Sequence, residues 1–423
     1  MQIIGYNSYY INRFPCGLKF AFKKNNSPVA YCALSIKSGT RNEPIEYNGL
    51  AHFTEHMLFK GTQKRNSISI NNRLEKLGGE LNAYTTKEET VVYSTILKED
   101  ISKSIDLLFE LVFTSTFSPK ELKKERSVVL DEINMYKDTP SEYIFDDFEE
   151  FLFGNNPLSK SILGRSKTLK KISSEVITKY VKDFFIPENM SFTIVADLSQ
   201  EKVEKLVMNS LKKYIFPLKE SSFPVENKAI APLSDSLSKG MVFTKESIKK
   251  HHQTNCIIGS SAYSLYEKKR VPLILLTNIL GGPSSNSLLN QVLRERSALV
   301  YNAEASYTQY SDTGSVMLYF GCDKSNLKKC LDLVNREINK VRNKKLSENF
   351  LNAAKKQLLG QIAIASDNGE VQCLSMGKSL LSYNEIVPDE IVRKKIENVT
   401  STDIYEVANE IFAEERLSKL IYK

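Results

Sequence analysis

Apolar positions along the chain recur with two periods, and its two halves run through them in the same order. In the first half, an apolar run over 29–36 reads as a strand and the segment around 49–59 as a helix. A second helix near 70–77, a strand over 80–96 and helices over 101–113 and 119–136 follow. In the second half, a strand over 255–259 leads to helices over 271–280 and 287–296. A strand over 300–321 and helices over 327–341 and 348–364 complete the series.

Local matches support a duplication. Asn82-Ala83 recurs as Asn302-Ala303, and residues 121–133 line up with 350–362, which sets Ser118 opposite Ser347. Ser118-Pro119-Lys120-Glu121 is itself a helix start, with Ser as N-cap, Pro in the first turn and Glu three residues after the cap. In this register Glu132 faces Gln361, while His52, Glu55 and His56 fall near Ile274, Thr277 and Asn278. Pro217, Pro224 and Pro232, set among Lys, Ser and Asn, mark a linker. The expected organisation is a first domain over 1–215, a linker over 216–239 and a duplicate domain over 240–423. A cleft between the domains, with the second holding substrate, is the natural expectation.

Composition narrows the class. The chain has 423 residues, 41% hydrophobic and 26% charged, too long for one compact core. No run approaches the roughly 18–20 apolar residues of a membrane span. The start, Met1-Gln2-Ile3-Ile4-Gly5, lacks a charged-then-apolar export signal, so a cytoplasmic location is expected. Six cysteines lie far apart, none in C-x-x-C spacing, and read as free buried thiols. The net charge of +8 comes from scattered lysines. Without a dense basic stripe or a reader motif, neither nucleic acid nor membrane is expected as a partner.

The candidate chemistry lies in His52-Phe53-Thr54-Glu55-His56, which uses two of the four histidines in the chain. On a helix, residues four apart point the same way, so both imidazoles can reach one metal ion with Glu55 on the same face. The same five residues also fit a buried helix whose histidines only hydrogen-bond. Catalytic zinc takes three protein ligands and leaves a position for water. Glu125 and Glu132, seven apart on one helical face beside Val128, Val129 and Ile133, are candidates for the third, or else a pair of exposed helix glutamates.

The H-x-x-E-H order is the inverzincin signature. Followed 76 positions later by Glu132 within Glu125-Arg126-Ser127-Val128-Val129-Leu130-Asp131-Glu132-Ile133, it resembles the pitrilysin/insulinase family of zinc metallopeptidases. Phe59-Lys60-Gly61-Thr62, Gly78-Gly79-Glu80-Leu81-Asn82-Ala83-Tyr84-Thr85 and Leu293-Arg294-Glu295-Arg296-Ser297-Ala298-Leu299-Val300-Tyr301 extend the likeness over nearly the whole chain. It is closest in kind to the short-chain, processing-peptidase-like subfamily. Two departures stand out: Asn286-Ser287-Leu288-Leu289 replaces the family's usual "SRLF" step, and Asn156 stands where a His is common.

The resemblance implies an α+β fold of two related domains, each a mainly antiparallel β-sheet packed with α-helices. It implies one zinc ion per chain held by His52, His56 and Glu132, with Glu55 as general base and Glu125 orienting a ligand histidine. Arg294 and Tyr301 match the family's substrate-side pair. Strand 80–86, with Asn82 and Ala83, looks like an edge to which an extended peptide adds. The expected activity is endoproteolysis of unfolded peptides or small polypeptides by a homodimer. Specific presequence processing, or a non-catalytic scaffold role, are the alternatives. Other conspicuous residues carry blander expectations. His251-His252 read as a solvated turn, Gly281-Gly282-Pro283-Ser284-Ser285 as a turn between helices, and Tyr143, Phe145, Phe148, Phe151 and Phe153 as core.

Overall fold

A computed structural model describes residues 9–216, 240–249 and 253–423. In chain order its elements are β1 (Tyr10–Arg13), β2 (Lys19–Lys24), β3 (Val29–Ile36), α1 (Leu50–Leu58), α2 (Ser67–Glu75), β4 (Glu80–Thr85), β5 (Thr90–Leu97), α3 (Ile101–Thr114), α4 (Pro119–Lys137), α5 (Pro140–Phe153), α6 (Ser166–Leu169), α7 (Ser174–Phe184), β6 (Met190–Ala196) and α8 (Gln200–Leu211). Then come β7 (Thr244–Ser247), β8 (Gln253–Ala262), α9 (Arg270–Gly281), a π-helical turn (Asn290–Glu295), β9 (Val300–Gln309), β10 (Gly314–Asp323), α10 (Leu327–Asn343), α11 (Glu348–Ser366), α12 (Gly369–Tyr383), α13 (Asp389–Glu397), α14 (Ser401–Ile411) and β11 (Ser418–Tyr422).

The chain forms two compact units, and each is discontinuous in sequence. The first takes the described residues of 1–134, 160–222 and 364–388; the second takes those of 135–159, 223–363 and 389–423. This partition differs from a single cut between 215 and 240 in two helices. The segment with α5 belongs to the second unit, and the segment with α12 to the first. Periodicity shows that a helix has an apolar face but not which sheet that face will cover. Of the expected linker only Phe216 is described, partly buried against the first unit's core; 217–239 and His251-His252 lie outside the described residues.

Each unit is built on a mainly antiparallel sheet, as the resemblance implied. In the first the strand order is β1-β2-β6-β3-β5-β4, all pairs antiparallel except β2 with β6. In the second it is β7-β11-β8-β10-β9, all antiparallel except β7 with β11. Apart from β1, the two orders and the place of the parallel pair coincide, so the repeat read from the sequence is a repeat of topology. Asn82-Ala83 and Asn302-Ala303 fall on the corresponding end strands β4 and β9. Ser118 and Ser347 both cap their helices: the Ser118 hydroxyl accepts from Glu121 N at 3.3 Å and that of Ser347 from Phe350 N at 3.4 Å.

Two runs read as single strands are hairpins. Residues 80–96 break into β4 and β5 at Thr86-Lys87-Glu88-Glu89, where Thr86 N donates to Glu89 O at 2.8 Å. Residues 300–321 break into β9 and β10, with Tyr310 N donating to Thr313 O at 2.8 Å. The first turn carries no Gly, Pro, Asn, Asp or Ser at its corner; the second has Ser311-Asp312 followed by Gly314, a turn signal that the reading as one strand passed over.

One face of the first sheet packs on α1, α3 and α8 around Phe20, Leu34, Phe53, Phe109 and Phe192. The other face is covered by α12 through Cys373, Met376 and Leu380. Two hydroxyls of β6 complete that contact, Ser191 donating to Gly377 O and Thr193 to Cys373 O, each at 2.9 Å. In the second unit α5 has the matching role. Phe148 and Leu152 pack against Ile257 and Leu420, and the buried Glu149 accepts from Tyr310 Oη at 2.7 Å and Ser315 Oγ at 2.9 Å. The aromatic run of α5 is therefore core, as expected. All six cysteines are free, five of them buried.

Candidate metal centre

Helix α1 carries the H-x-x-E-H residues. It begins at Gly49, whose φ of 95° suits glycine, and that turn lies against Gly164, with φ of 75°. A Cβ on Gly49 would meet Leu163 O at 2.8 Å, and one on Gly164 would meet Asn48 O at 2.4 Å. Two segments thus cross backbone to backbone at the helix start. The helix ends after Leu58, where Phe59-Lys60-Gly61 turns the chain towards α2.

His52 and His56 lie with ring centroids 4.6 Å apart. Glu132, from α4, reaches both: Oε1 is 3.7 Å from His52 Nε2, and Oε2 is 3.5 Å from His56 Nε2. One ligand atom from each of the three residues lies within 4.8 Å of the others. Glu132 Oε2 is buried without a hydrogen-bond partner among the described residues, as is His52 Nδ1. Two imidazole nitrogens and a carboxylate oxygen form a donor set suited to zinc, and an unpartnered buried carboxylate oxygen among them is what a cation would satisfy.

The surroundings set each group's charge. Burial, with His56 beside it, holds the His52 imidazolium down at about 3, so the ring is neutral and its lone pair free. For His56, burial also acts downwards, but the Glu125 hydrogen bond and the Glu132, Glu55 and Glu125 charges outweigh it and the net direction is up. Glu125 Oε1 accepts from His56 Nδ1 at 2.9 Å, which places the hydrogen on Nδ1 and leaves Nε2 facing Glu132. Lys60 Nζ pairs with the other Glu125 oxygen at 2.7 Å. Burial raises Glu125, yet the His56 and Lys60 bonds prevail and hold it below the usual carboxylate range. Glu55 is buried on α1. The hydroxyl of Thr85 at the end of β4 donates to its Oε2 at 2.5 Å, while burial pushes its carboxyl up.

Glu125 thus lies against His56, and Glu132 lies beside ring nitrogens of both histidines. Asn82 and Ala83 lie on β4, which pairs with β5 and has no partner on its other side among the described residues. Arg294 and Tyr301 belong to the second unit. Arg294 sits in the π-helical turn with Nε 3.0 Å from Glu295 Oε1, and Tyr301, 84% exposed, stands at the start of β9. The helix expected over 287–296 widens there into the π-turn, with Arg296 N donating to Gln291 O, a bond spanning five residues. The sequence reading missed Lys60, Thr85 and Glu43. No spacing rule connects them with the motif; only Lys60 and Thr85 fell inside quoted family segments.

The second unit holds the counterpart of the centre. Asn278 Nδ2 donates to Gln361 Oε1 at 2.8 Å, and Gln361 Nε2 donates to Ser284 Oγ at 3.1 Å. These are the residues aligned with His56 and Glu132. A neutral amide pair replaces an imidazole and a carboxylate.

Residues 19–166 match the family model described as Insulinase (Peptidase family M16), and residues 171–358 match that described as Peptidase M16 inactive domain. The chain belongs to peptidase family M16. It is 28% identical over 418 residues to the uncharacterized zinc protease YmxG of Bacillus subtilis, covering 97% of this chain and 98% of that one. It is 26% identical to the mitochondrial-processing peptidase subunit beta of Saccharomyces cerevisiae, over 94% of this chain and 87% of the relative. A protease from Helicobacter pylori has the same fold, with a TM-score of 0.87 at 19% identity, over 98% of this chain and 99% of that one. Among the described residues, no helix is long and apolar enough to cross a membrane.

The Gly49–Gly164 crossing is directly testable. Gly164→Ala adds a Cβ at a positive φ and against a backbone oxygen, and is expected to cost about 2 kcal/mol or more. Urea denaturation showing unchanged stability would mean that the crossing is not as tight as described.

Proposed function

We propose that this M16 chain is a zinc-dependent metalloendopeptidase acting on unfolded peptides or small polypeptides. The observation that carries the reading is the convergence of His52, His56 and Glu132 beside the buried Glu55, with one carboxylate oxygen left without a partner. His52, His56 and Glu132 would hold one zinc ion per chain. Bound there, zinc would supply Lewis-acid activation of water and of the scissile carbonyl.

The protein groups account for the rest. Glu55 accepts a proton from the attacking water and returns it to the leaving nitrogen as the C–N bond breaks. Its carboxyl, raised by burial, is a better proton acceptor than a solvated glutamate, and the Thr85 hydroxyl fixes its orientation. Glu125, held by Lys60, keeps His56 in the tautomer that can ligate. Strand β4, with Asn82 and Ala83, offers an unpaired edge for an extended peptide, which binds through backbone hydrogen bonds with little regard to sequence. Arg294 would hold substrate carbonyls and Tyr301 would donate to the developing oxyanion. The exposure of Tyr301 and its place beside a π-turn, a feature concentrated at functional sites, support a role outside packing.

Likeness to a mitochondrial-processing peptidase subunit favours a second reading, in which the substrate is a presequence on a larger precursor. Because one chain carries both the proposed zinc-ligand set and the Arg294/Tyr301 pair, a homodimer is the assembly expected on either reading.

Glu55→Gln is expected to abolish peptide turnover while zinc content stays near one per chain, and chelation should abolish turnover of the parent protein reversibly. Retained cleavage by the variant would remove Glu55 as base. Tyr301→Phe should lower kcat by about a hundredfold or more with little change in KM, in the range seen when an oxyanion donor is lost; an unchanged kcat would assign the residue to packing. Solution mass measurement should give twice the chain mass, and an active monomer would exclude the dimer.

A further inference from the structure

The first-turn amides of a helix have no helical carbonyl to bond, and Gly49, at the start of α1, has no side chain to offer them. The cap comes from six residues upstream. Glu43 Oε2 accepts from Gly49 N at 2.9 Å, and Oε1 accepts from Ala51 N at 2.7 Å. Asn48 Nδ2 donates to Oε2 at 3.2 Å and to Ser161 O at 3.0 Å, and Lys160 Nζ donates to the Glu43 carbonyl at 2.9 Å. Glu43 is buried, only 5% exposed. Burial pushes its carboxyl up to about 7, against the pull of the Ala51 and Gly49 amides, Asn48 and Lys160.

A local Ser or Thr at the N-cap would cap the helix without burying a carboxylate. The arrangement seen here achieves something a local cap does not. Bonds from one rigid carboxylate to amides two residues apart restrict both rotation of the helix about its axis and sliding along it. Ala51 immediately precedes His52, so the clamp acts on the backbone that aims His52, Glu55 and His56. The Gly49–Gly164 crossing and the Lys160 bond tie the same loop down from outside the helix.

We propose that Glu43 is a positioning residue for the metal centre, its two-pronged cap setting the rotation of α1 and hence the directions in which His52, Glu55 and His56 point. This role rests on the reading of His52, His56 and Glu132 as zinc ligands.

Glu43→Gln keeps the shape of the side chain but turns an amide NH2 towards one of the two backbone donors, so that only one bond survives. In the full-length, metal-free protein, zinc affinity is measured by competition with a chromophoric chelator. Amide hydrogen exchange at Gly49 and Ala51 and the thermal melt are followed alongside. The expected result for folded E43Q is zinc affinity weakened by about tenfold or more, the size seen when groups behind a metal ligand are removed. Faster exchange at both amides, and a lower kcat with KM unchanged, should accompany it. Asn48→Ala, which keeps both amide bonds but frees the carboxylate, should shift affinity and exchange in the same direction by less, and serves if E43Q does not fold. A folded variant with parental zinc affinity and parental exchange would overturn the proposal. So would an affinity loss that only tracks the folded fraction, since that is a stability role. A parent protein that takes up no zinc would overturn the functional reading and this role with it; a parent that binds zinc beside an E43Q that binds equally well would overturn the role of Glu43 alone.

Discussion

A helix of nine residues does not hold itself together in water, and α1 exists because eight of its nine side chains are buried. That burial is also its difficulty. His52 and Glu55 are among the buried residues, and each polar atom removed from water must find a partner or raise the free energy of the fold. Much of the local architecture answers this demand. Glu125 and Lys60 stabilise His56, Thr85 orients Glu55, and Glu43 satisfies the amides at the helix start. Around the two histidines, Glu132 Oε2 and His52 Nδ1 are buried without a partner among the described residues, and the first faces Nε2 of His56.

The second unit shows the same scaffold without that demand. With Asn278 and Gln361 in place of His56 and Glu132, a single amide hydrogen bond closes the gap and no charge is buried there. A carboxylate there with no imidazole or cation beside it would carry a desolvation cost that the neutral amide pair avoids. The matching strand orders, with the parallel pair at the same place in each, give the two units one topology.

Discontinuity of the two units has a physical basis as well. Each sheet has a second face that needs an apolar cover, and in the first unit α12 supplies it while in the second α5 does. Gly377 lets α12 come close to β3 and β6, since a Cβ there would meet Ser35 Oγ at 2.6 Å. The buried Glu149 of α5 is matched to hydroxyls of the strand–turn segment around β10.

Period and spacing along the chain already marked His52, His56, Glu125 and Glu132 as metal-ligand candidates, the repeated order of elements and the helix start at Ser118. These are local or periodic properties: positions four and seven apart share a helix face whatever surrounds them, and an N-cap acts within one turn. The first hairpin turn was hidden because its corner uses Thr, Lys and Glu, whose preferences do not mark a reversal, while the second was marked only by Ser311-Asp312 and Gly314 inside a long apolar run. Glu43, Lys60 and Thr85 became meaningful only through packing. Which helix covers which sheet was equally a matter of three dimensions. An apolar face is encoded in a helix, but its partner is chosen by complementary shape and by buried hydroxyls and carboxylates that meet only when distant segments come together. Tertiary structure alone decided how α1 is clamped, and with it where His52, Glu55 and His56 point.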